Sequence, residues 1–345
     1  MVTIRDVAKQ AGVSHATVSY VLNGKAGHAK TRISDVASER VKAAVAQLGY
    51  QRNEIAWSVS TGKTNVIGFL IQDVPSEFCA NLQNGIMKAA YENNYFIKVI
   101  YAKQNCDGMD IARICIGQRL AGLIAYNVPD KNLFSQLYRQ ISKYEIPLAI
   151  AAGVSHLDLD VDKCIRIYAN NMQGGSLAFK HLYAQGHRSF FISAEYSGSE
   201  WADRRLNGFV AAAQEAGISI PETNICRTEG LLPKGELEKR IKTAKATAIF
   251  CMSDYSALSI ITQLQQAGIR VPADVAVVGY GNLSFCDFSN PAITSIEEHL
   301  SQIGNRTVNV LLDKVRSGNI AELHEEYSET IDVELVVRAS TNFNR

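Results

Sequence analysis

Residues 3–23 constrain the fold of this chain most, because they are patterned as two short helices joined by a tight turn. The first helix repeats apolar residues at helical spacing on one face, namely Ile4, Val7, Ala8 and Ala11. Gly12 then supplies the backbone freedom that a helix end needs, and Ser14 is a good N-cap for the second helix. The second helix buries Val18, Val21 and Leu22. This pattern predicts a helix-turn-helix, a motif whose second helix lies in the DNA major groove with its first residues at the base edges.

A third helix is required, because so short a helical pair cannot form a core by itself. Residues 34–48 supply it, with apolar residues on one side, namely Val36, Val41, Ala44, Val45 and Leu48. The first 65 residues carry nine Lys and Arg but four Asp and Glu, whereas the remainder carries 26 and 30. A basic segment that coincides with the helix-turn-helix indicates contact with DNA phosphates. The alternatives are a helical hairpin packed on another domain and a charged face that is merely solvated.

From residue 66 onward, apolar strands alternate with amphipathic helices in two successive rounds. Such repetition indicates parallel sheets that are covered by helices on both faces. We therefore expect a small all-α helix-turn-helix headpiece followed by an α/β body of two doubly wound parallel-sheet lobes. A ligand would bind between the lobes, outside the carboxyl ends of the strands.

The chain also resembles a known family over nearly its whole length. Residues 3–23 fill every fixed position of T-x-x-D-V-A-x-x-A-G-V-S-x-x-T-V-S-x-V-L-N, the headpiece pattern of the lactose/galactose repressor (LacI/GalR) family of bacterial regulators. Residues 205–209 match the family motif R-x-x-G-F, and residues 268–280 and 291–296 match its second-lobe signature. The resemblance implies a periplasmic-binding-protein-like body in which the chain crosses between the lobes near residues 168–171, 294–298 and 326–330.

We expect three segments: the headpiece at 1–50, a hinge helix or linker at 51–65, and an effector-binding and dimerisation body at 66–345. Lobe one comprises about 66–168 and 298–326, and lobe two about 169–296 and 328–345. In the family, the hinge orders on operator DNA and wedges a Leu into the minor groove. Val59 stands at that position and has less reach, so we expect shallower intercalation. An ordinary interdomain linker is the alternative.

The resemblance assigns operator contacts to fourteen residues of the headpiece and hinge: Thr3, Ser14, His15, Ala16, Thr17, Ser19, Tyr20, Asn23, Lys25, Arg32, Tyr50, Asn53, Ala56 and Val59. Many family members carry Arg where Tyr20 stands, and Arg reads guanine with two hydrogen bonds. Tyr20 cannot do so, and we therefore expect a half-site that differs from the commonest family operators. The alternative for His15, Ala16 and Tyr20 is a solvent-exposed helix residue that reads no base.

The resemblance also assigns the effector contacts in the cleft: Asp73, Phe78, Asn127, Asn171, Trp201, Arg205, Ser253, Asp254 and Asn282. Arg205 is the principal candidate, because a guanidinium binds vicinal hydroxyls, a carboxylate or a phosphate. A structural ion pair is its alternative role, and Phe78 is equally compatible with plain core. Gly281 replaces a carboxylate with which the family grips sugar hydroxyls. We therefore hypothesise an anionic or phosphorylated metabolite, with a neutral sugar as the alternative.

Other features exclude several classes of protein. The seven cysteines are scattered and none forms C-x-x-C, which favours a reduced setting without a zinc site. No apolar run approaches the length of a membrane span, and the first residues form a charged helix rather than a secretion signal. We expect a cytoplasmic bacterial protein, associated with the nucleoid when bound to its operator and making no membrane contact.

We expect neither catalysis nor a cofactor, because the chain lacks a P-loop, a G-x-S-x-G motif and metal-ligand spacing. A solute-binding protein of a transporter would share the body, but the basic headpiece argues against it. The sequence predicts an effector-controlled repressor that binds a pseudo-palindromic operator as a homodimer, because two headpieces on one duplex require two-fold symmetry. The effector would shift the population of lobe arrangements.

Replacing Tyr20 with Arg tests whether this residue reads a base. We expect Tyr20→Arg to change the half-site preference in a binding-site selection from random duplexes, toward a guanine at one position. Selection with the native chain provides the reference. An unchanged preference would show that Tyr20 takes no part in readout.

Overall fold

The structure, a computed structural model, describes most of the chain in a series of segments. These segments are residues 2–22, 33–51, 64–72, 76–103, 106–126, 131–152, 164–194, 199–227, 232–233, 235–319 and 326–342. The chain divides into two compact units, residues 1–64 and 65–345.

Three helices form the described part of the first unit: α1 (Ile4–Ala11), α2 (His15–Leu22) and α3 (Asp35–Leu48). A capping box begins α1, since the N–H of Asp6 donates to the hydroxyl of Thr3 and the Asp6 carboxylate accepts from the Thr3 N–H. Gly12 ends the helix in the left-handed region, at φ 62°. Before α2, the N–H of Thr17 donates to Ser14 Oγ at 3.1 Å. The predicted turn and cap are therefore confirmed.

The core of this unit is small and apolar. Six buried residues form it, namely Val7, Ala8, Ala11, Val18, Val41 and Ala44. Val45, Leu48 and Tyr50 pack against it from the later turns of α3 and beyond. The expectation that Val36 belongs to this core is wrong, since Val36 is 70% exposed. It lies in the first turn of α3, whereas the residues of α3 that join the core begin at Val41.

The second unit contains two six-stranded sheets. In lobe one the strand order is β11-β5-β4-β3-β1-β2, and all neighbouring strands are parallel. Its elements are β1 (Val66–Ile71), α4 (Glu77–Glu92), β2 (Phe96–Tyr101), α5 (Gly108–Gly117), β3 (Gly122–Tyr126), α6 (Lys131–Ile141), β4 (Leu148–Ala151), β5 (Ile165–Ala169), α11 (Leu300–Ser317) and β11 (Tyr327–Ile331). The continuously apolar β1 is an interior strand, and the partly polar β2 is an edge, as helix-covered parallel sheets require.

In lobe two the order is β12-β10-β9-β8-β6-β7, and only β12 pairs antiparallel among the described strands. Its elements are α7 (Asn171–Ala184), β6 (Phe190–Ser193), α8 (Glu200–Glu215), β7 (Ile225–Cys226), α9 (Glu236–Ala244), β8 (Ala248–Cys251), α10 (Asp254–Gln266), β9 (Ala276–Tyr280), β10 (Thr294–Glu297) and β12 (Glu334–Val336). One apolar core runs through both lobes, and two separate clusters fill the outer layers. The predicted fold class is confirmed.

The chain crosses between the lobes three times. The first crossing follows β5 at residue 170, inside the predicted range. The second lies at residues 298–299, between β10 and α11, and the third lies at residues 332–333, between β11 and β12. The predicted third crossing at 326–330, and with it the lobe boundary at 326–328, is wrong. Strand β11 belongs to lobe one and pairs parallel with β5, but as a mostly polar edge strand it carries no apolar signal.

Close contact between α7 and α8 fixes the side chains at the base of the cleft. A Cβ at Gly208 of α8 would lie 2.0 Å from the carbonyl oxygen of Met172, and a Cβ at Gly175 of α7 would lie 2.0 Å from the carbonyl oxygen of Arg205. No other residue type allows the two backbones to approach so closely. The two glycines therefore hold Arg205 beside the first residue of α7.

Replacing Gly208 with Ala should push these helices apart. We expect a loss of roughly 2 kcal/mol or more from the free energy of unfolding, because overpacking outweighs the gain in helix propensity. Thermal unfolding followed by circular dichroism measures it.

Gly117→Ala is the matched control, because nothing lies within 4 Å of its added Cβ at the end of α5. Equal effects of the two substitutions would contradict the close contact.

Candidate functional site

The headpiece presents the start of α2 to solvent. His15 and Ala16 are exposed, Tyr20 is 43% exposed one turn later, and Thr17 and Ser19 are half-buried. Because Val18 on the opposite face is fully buried in the three-helix core, the orientation of the exposed face is fixed. This is the arrangement that a recognition helix needs in order to place its first residues at base edges.

The remaining predicted DNA contacts cap helices, pack against the core or lie outside the described residues. The hydroxyls of Thr3 and Ser14 accept hydrogen bonds that cap α1 and α2, and Tyr50 packs against the headpiece core. Capping leaves their backbone groups at helix starts, where phosphate is commonly bound. The predicted contacts Asn23, Lys25, Arg32, Asn53, Ala56 and Val59 lie outside the described residues, as do the predicted effector contacts Asp73 and Asn127.

Arg205 occupies the base of the cleft in lobe two, and its side chain is only 6% exposed. Its guanidinium donates three hydrogen bonds: Nε to Asn171 Oδ1 at 2.7 Å, one terminal nitrogen to the Met252 carbonyl at 2.7 Å, and the other to Glu298 Oε1 at 2.5 Å. The guanidinium also lies 3.5 Å from the centre of the Tyr280 ring. Charge-assisted hydrogen bonds and ring contact together fix its orientation.

Trp201 lies one turn before Arg205 on α8 and is half-buried. Its ring centre is 4.6 Å from the guanidinium carbon. Trp201 and Tyr280 therefore both contact the guanidinium by their rings.

Glu298 is the counter-ion of Arg205, with a side chain 8% exposed. Burial raises the pKa of Glu298, and the neighbouring guanidinium opposes that rise. Since Arg is protonated at every physiological pH, their hydrogen bond favours the carboxylate form. The ion pair that the sequence leaves as the alternative role of Arg205 is therefore present, and the charge of the effector stays a prediction.

Asp254 is a second buried carboxylate, and it supports the loop after β9. Asp254 accepts hydrogen bonds from Ser295 Oγ at 2.6 Å and from the N–H of Leu283 at 2.8 Å. Burial raises the pKa of Asp254, and these hydrogen bonds oppose the rise. Ser253 caps α10 by accepting from the N–H of Ser256 at 3.2 Å. Both predicted effector contacts thus hold the cleft wall in place.

The turn at residues 280–282 is held in place by hydrogen bonds of the chain itself. The amide of Asn282 is bound on both sides, since Nδ2 donates to Glu297 at 2.8 Å and Oδ1 accepts from Arg338 at 2.7 Å. Gly281 has φ 120°, and a Cβ there would lie 2.5 Å from Phe78 Cε1. The ring of Phe78, from lobe one, thus fills the space of a side chain at position 281.

Lobe one meets lobe two at this same turn. The Glu77 carboxylate accepts from the N–H of Ser284 at 2.7 Å and from Ser284 Oγ at 3.1 Å. The Phe78 ring lies 6.4 Å from the ring of Tyr255. The structure therefore brings Asn171, Trp201 and Arg205 together at the cleft base, and places Phe78 at a contact between the lobes.

Sequence reasoning missed Glu298 and Tyr280. Glu298 and Arg205 are 93 positions apart in the sequence, and no spacing rule links an acid after one strand to a base on a distant helix.

His181 is half-buried, His187 is buried, and both have structural roles. Each ring forms a hydrogen bond with a threonine hydroxyl, and burial lowers the pKa of both side chains.

Comparison with known proteins identifies the family. Residues 3–53 match the model of bacterial regulatory proteins, lacI family, and residues 179–341 match that of a periplasmic binding protein-like domain. The chain is 31% identical to the HTH-type transcriptional repressor PurR of Photobacterium profundum, over 99% of this chain and 98% of the relative. For the PurR repressor of Aliivibrio salmonicida the identity is 30%, over 94% and 97%. The chain belongs to the lacI family.

Solved structures share the fold of this LacI-family chain. The lac repressor dimer bound to operator and the anti-inducer ONPF has a TM-score of 0.74 at 23% identity, over 99% of each chain. The transcriptional regulator CelR in complex with cellobiose has a TM-score of 0.71 at 23% identity, over 99% of this chain and 100% of that one. The predicted family and architecture are therefore confirmed.

The LacI-family chain is thus a DNA-binding transcriptional repressor with a ligand-binding body. Its relatives are repressors rather than enzymes. Among the residues that the structure describes, no three His, Cys, Asp or Glu side chains come together as metal ligands. No helix in the described part of the chain is long and apolar enough to cross a membrane.

Substitution of Gly281 tests the contact between the lobes in this LacI-family protein. We expect Gly281→Ala to lower the thermal midpoint more than Gly268→Ala does. Both positions have positive φ, but only Gly281 has a ring within 3 Å of the added Cβ.

The double variant Phe78→Ala/Gly281→Ala should recover part of the loss, with a coupling energy of about 1 kcal/mol or more. Strictly additive losses in this cycle would contradict the proposed contact.

Proposed function

We propose that this protein represses transcription by binding a pseudo-palindromic operator as a homodimer, with an affinity that a sugar or sugar-derived effector in the cleft controls. The carrying observation is the fixed α2 helix, which exposes His15, Ala16 and Tyr20 from a basic headpiece. A recognition helix of this kind reads one half-site, and two-fold pairing of chains reads two. Such a repressor acts in the bacterial cytoplasm, at the nucleoid.

An apolar surface on lobe one supports the dimer. Met87 and Tyr91, one turn apart on α4, are 52% and 83% exposed. Val99 and Tyr101, on one face of edge strand β2, are 46% and 58% exposed. We call these four residues the edge patch. Exposed aromatic and aliphatic side chains beside an unpaired strand edge are typical of a surface that a second chain covers.

The chemistry of the cleft base favours an uncharged effector. Arg205 and Glu298 neutralise one another, and Asp254 contributes a further buried carboxylate. Hydroxyl groups can bond to amides and remaining N–H groups there without adding charge, and Trp201 offers a ring for stacking. Among proteins of the same fold, the CelR structure holds cellobiose and a regulator from Enterococcus faecium holds ribose.

The effector would act by shifting the balance of lobe arrangements. Glu77 and Phe78 of lobe one contact Ser284 and Gly281 of lobe two at the cleft. An effector that binds one lobe arrangement more tightly changes the population of that arrangement, and with it the affinity for DNA. The effector strengthens operator binding if it favours the lobe arrangement that binds the operator more tightly, and weakens operator binding if it favours the other arrangement.

Selection of binding sites from random duplexes at moderate salt tests this function. We expect a symmetric pair of half-sites, bound with an affinity that falls as salt rises. Tyr91→Glu, in the edge patch, should separate the chains and weaken binding to the paired site by about 100-fold, because both headpieces then bind independently.

Tyr144→Glu is the matched control, since Tyr144 is 59% exposed elsewhere on lobe one. Ultracentrifugation reports the assembly state of each variant. The absence of any preference for symmetric over random DNA, with and without a panel of sugars, would contradict the proposed function.

A further inference from the structure

Glu298 occupies the position that an anionic ligand would take on Arg205. A guanidinium binds a carboxylate through N–H groups directed outward from its edge. One of those nitrogens donates to Glu298 Oε1 at 2.5 Å, while Nε and the other terminal nitrogen are held by Asn171 and Met252. The edge of Arg205 is therefore already occupied by acceptors of the chain itself.

The backbone holds this carboxylate in place. Glu298 directly follows β10 and precedes α11, so it lies in the second crossing between the lobes. Strand β10 is mostly buried and α11 buries one face in the body, which restrains the backbone on both sides of Glu298. A ligand carboxylate or phosphate that approached Arg205 would meet a fixed negative charge at hydrogen-bond distance from the same group.

A second carboxylate adds to this repulsion. Asp254 is fully buried in the same lobe. It is held by neutral donors, Ser295 Oγ and the N–H of Leu283, rather than by a cation among the contacts that the structure describes. Arg205 is the ion-pair partner of Glu298, and Asp254 has no ion pair among the described contacts. Added negative charge is disfavoured there, since charges act strongly on one another away from water.

We propose that Glu298 is a specificity-determining residue, which neutralises Arg205 from within the chain and thereby excludes anionic effectors from the cleft. The inference rests on the proposed function of the cleft as the effector site. An uncharged, hydroxyl-bearing effector adds no negative charge beside Glu298 and Asp254, so the same repulsion does not oppose it. Loss of the Glu298 charge would convert the same cleft base into a site for carboxylate or phosphate.

Glu298→Gln tests this role, because glutamine keeps the size and the accepting oxygen but removes the charge. Inorganic phosphate and acetate are the probes, since both are small enough to reach a buried guanidinium. We expect the variant to bind phosphate at least about tenfold more tightly than the native chain, as removal of one like charge at short range predicts. Isothermal calorimetry measures the affinity, and the thermal midpoint in phosphate against chloride at equal ionic strength provides a second readout.

Glu297→Gln is the matched control. Glu297 is the adjacent carboxylate, and it accepts hydrogen bonds from Asn282 and His299 instead of Arg205. Phosphate stabilises most proteins non-specifically by exclusion from their surface. Because this effect is the same for both variants, comparison with Glu297→Gln cancels it. Only a saturable gain confined to Glu298→Gln supports the inference.

Two outcomes would overturn the proposal: saturable binding of phosphate or acetate by the native chain, or equal behaviour of the two variants. If Glu298→Gln is insoluble in chloride, the yield of folded protein after refolding in each anion is the test of the proposal. Recovery of soluble, folded protein only when acetate or phosphate is present supports the role of Glu298, and failure with both anions counts against it.

Failure of the proposed function is distinguishable from failure of this inference. A native chain that selects symmetric DNA but responds to an anionic metabolite would contradict the inference alone. A native chain without any preference for symmetric DNA would contradict the repressor function, while the anion binding of Glu298→Gln would still report on the chemistry of Arg205.

Discussion

The body depends on one buried cation, the guanidinium of Arg205. It bonds to Asn171, which follows the first crossing between the lobes, and to Glu298, which lies in the second. It also bonds to the carbonyl of Met252, directly after β8. A buried charge is stable only when it is paired and hydrogen-bonded, so each of these partners must keep its place. The carboxyl ends of the lobe-two strands and two crossings are thereby held in one arrangement.

The third crossing is tied to the same region through α7. The N–H of Asn170 donates to the carbonyl of Ile331 at 2.8 Å, and the N–H of Val333 donates to Gln173 Oε1 at 2.9 Å. All three crossings therefore meet near the start of α7. Under the proposed function, a ligand that bonds to Arg205 or to Asn171 would compete with contacts that join the lobes, and would thereby shift the lobe arrangement.

Charge is distributed to match the two tasks of a repressor. The headpiece carries the excess of basic residues, as phosphate contact requires. In the cleft base, by contrast, Arg205 is paired with Glu298, and Asp254 is a further buried carboxylate. At Gly281 of lobe two, the ring of Phe78 from lobe one fills the space that a side chain would occupy. The loss of a carboxylate at residue 281, noted in the sequence, is therefore accompanied by a gain of packing between the lobes.

The helix-turn-helix and the alternation of strands and helices could be read from the order of residues alone, because caps, turn glycines and apolar periodicity act over a few residues. Ser14, Gly12 and Val18 show their roles within one or two turns of chain. The order of residues could not reveal β11, whose polar residues pair at a sheet edge, nor the solvent exposure of Val36. The ion pair of Glu298 with Arg205 becomes visible once the chain is folded, because it joins positions 93 residues apart and depends on how two crossings meet.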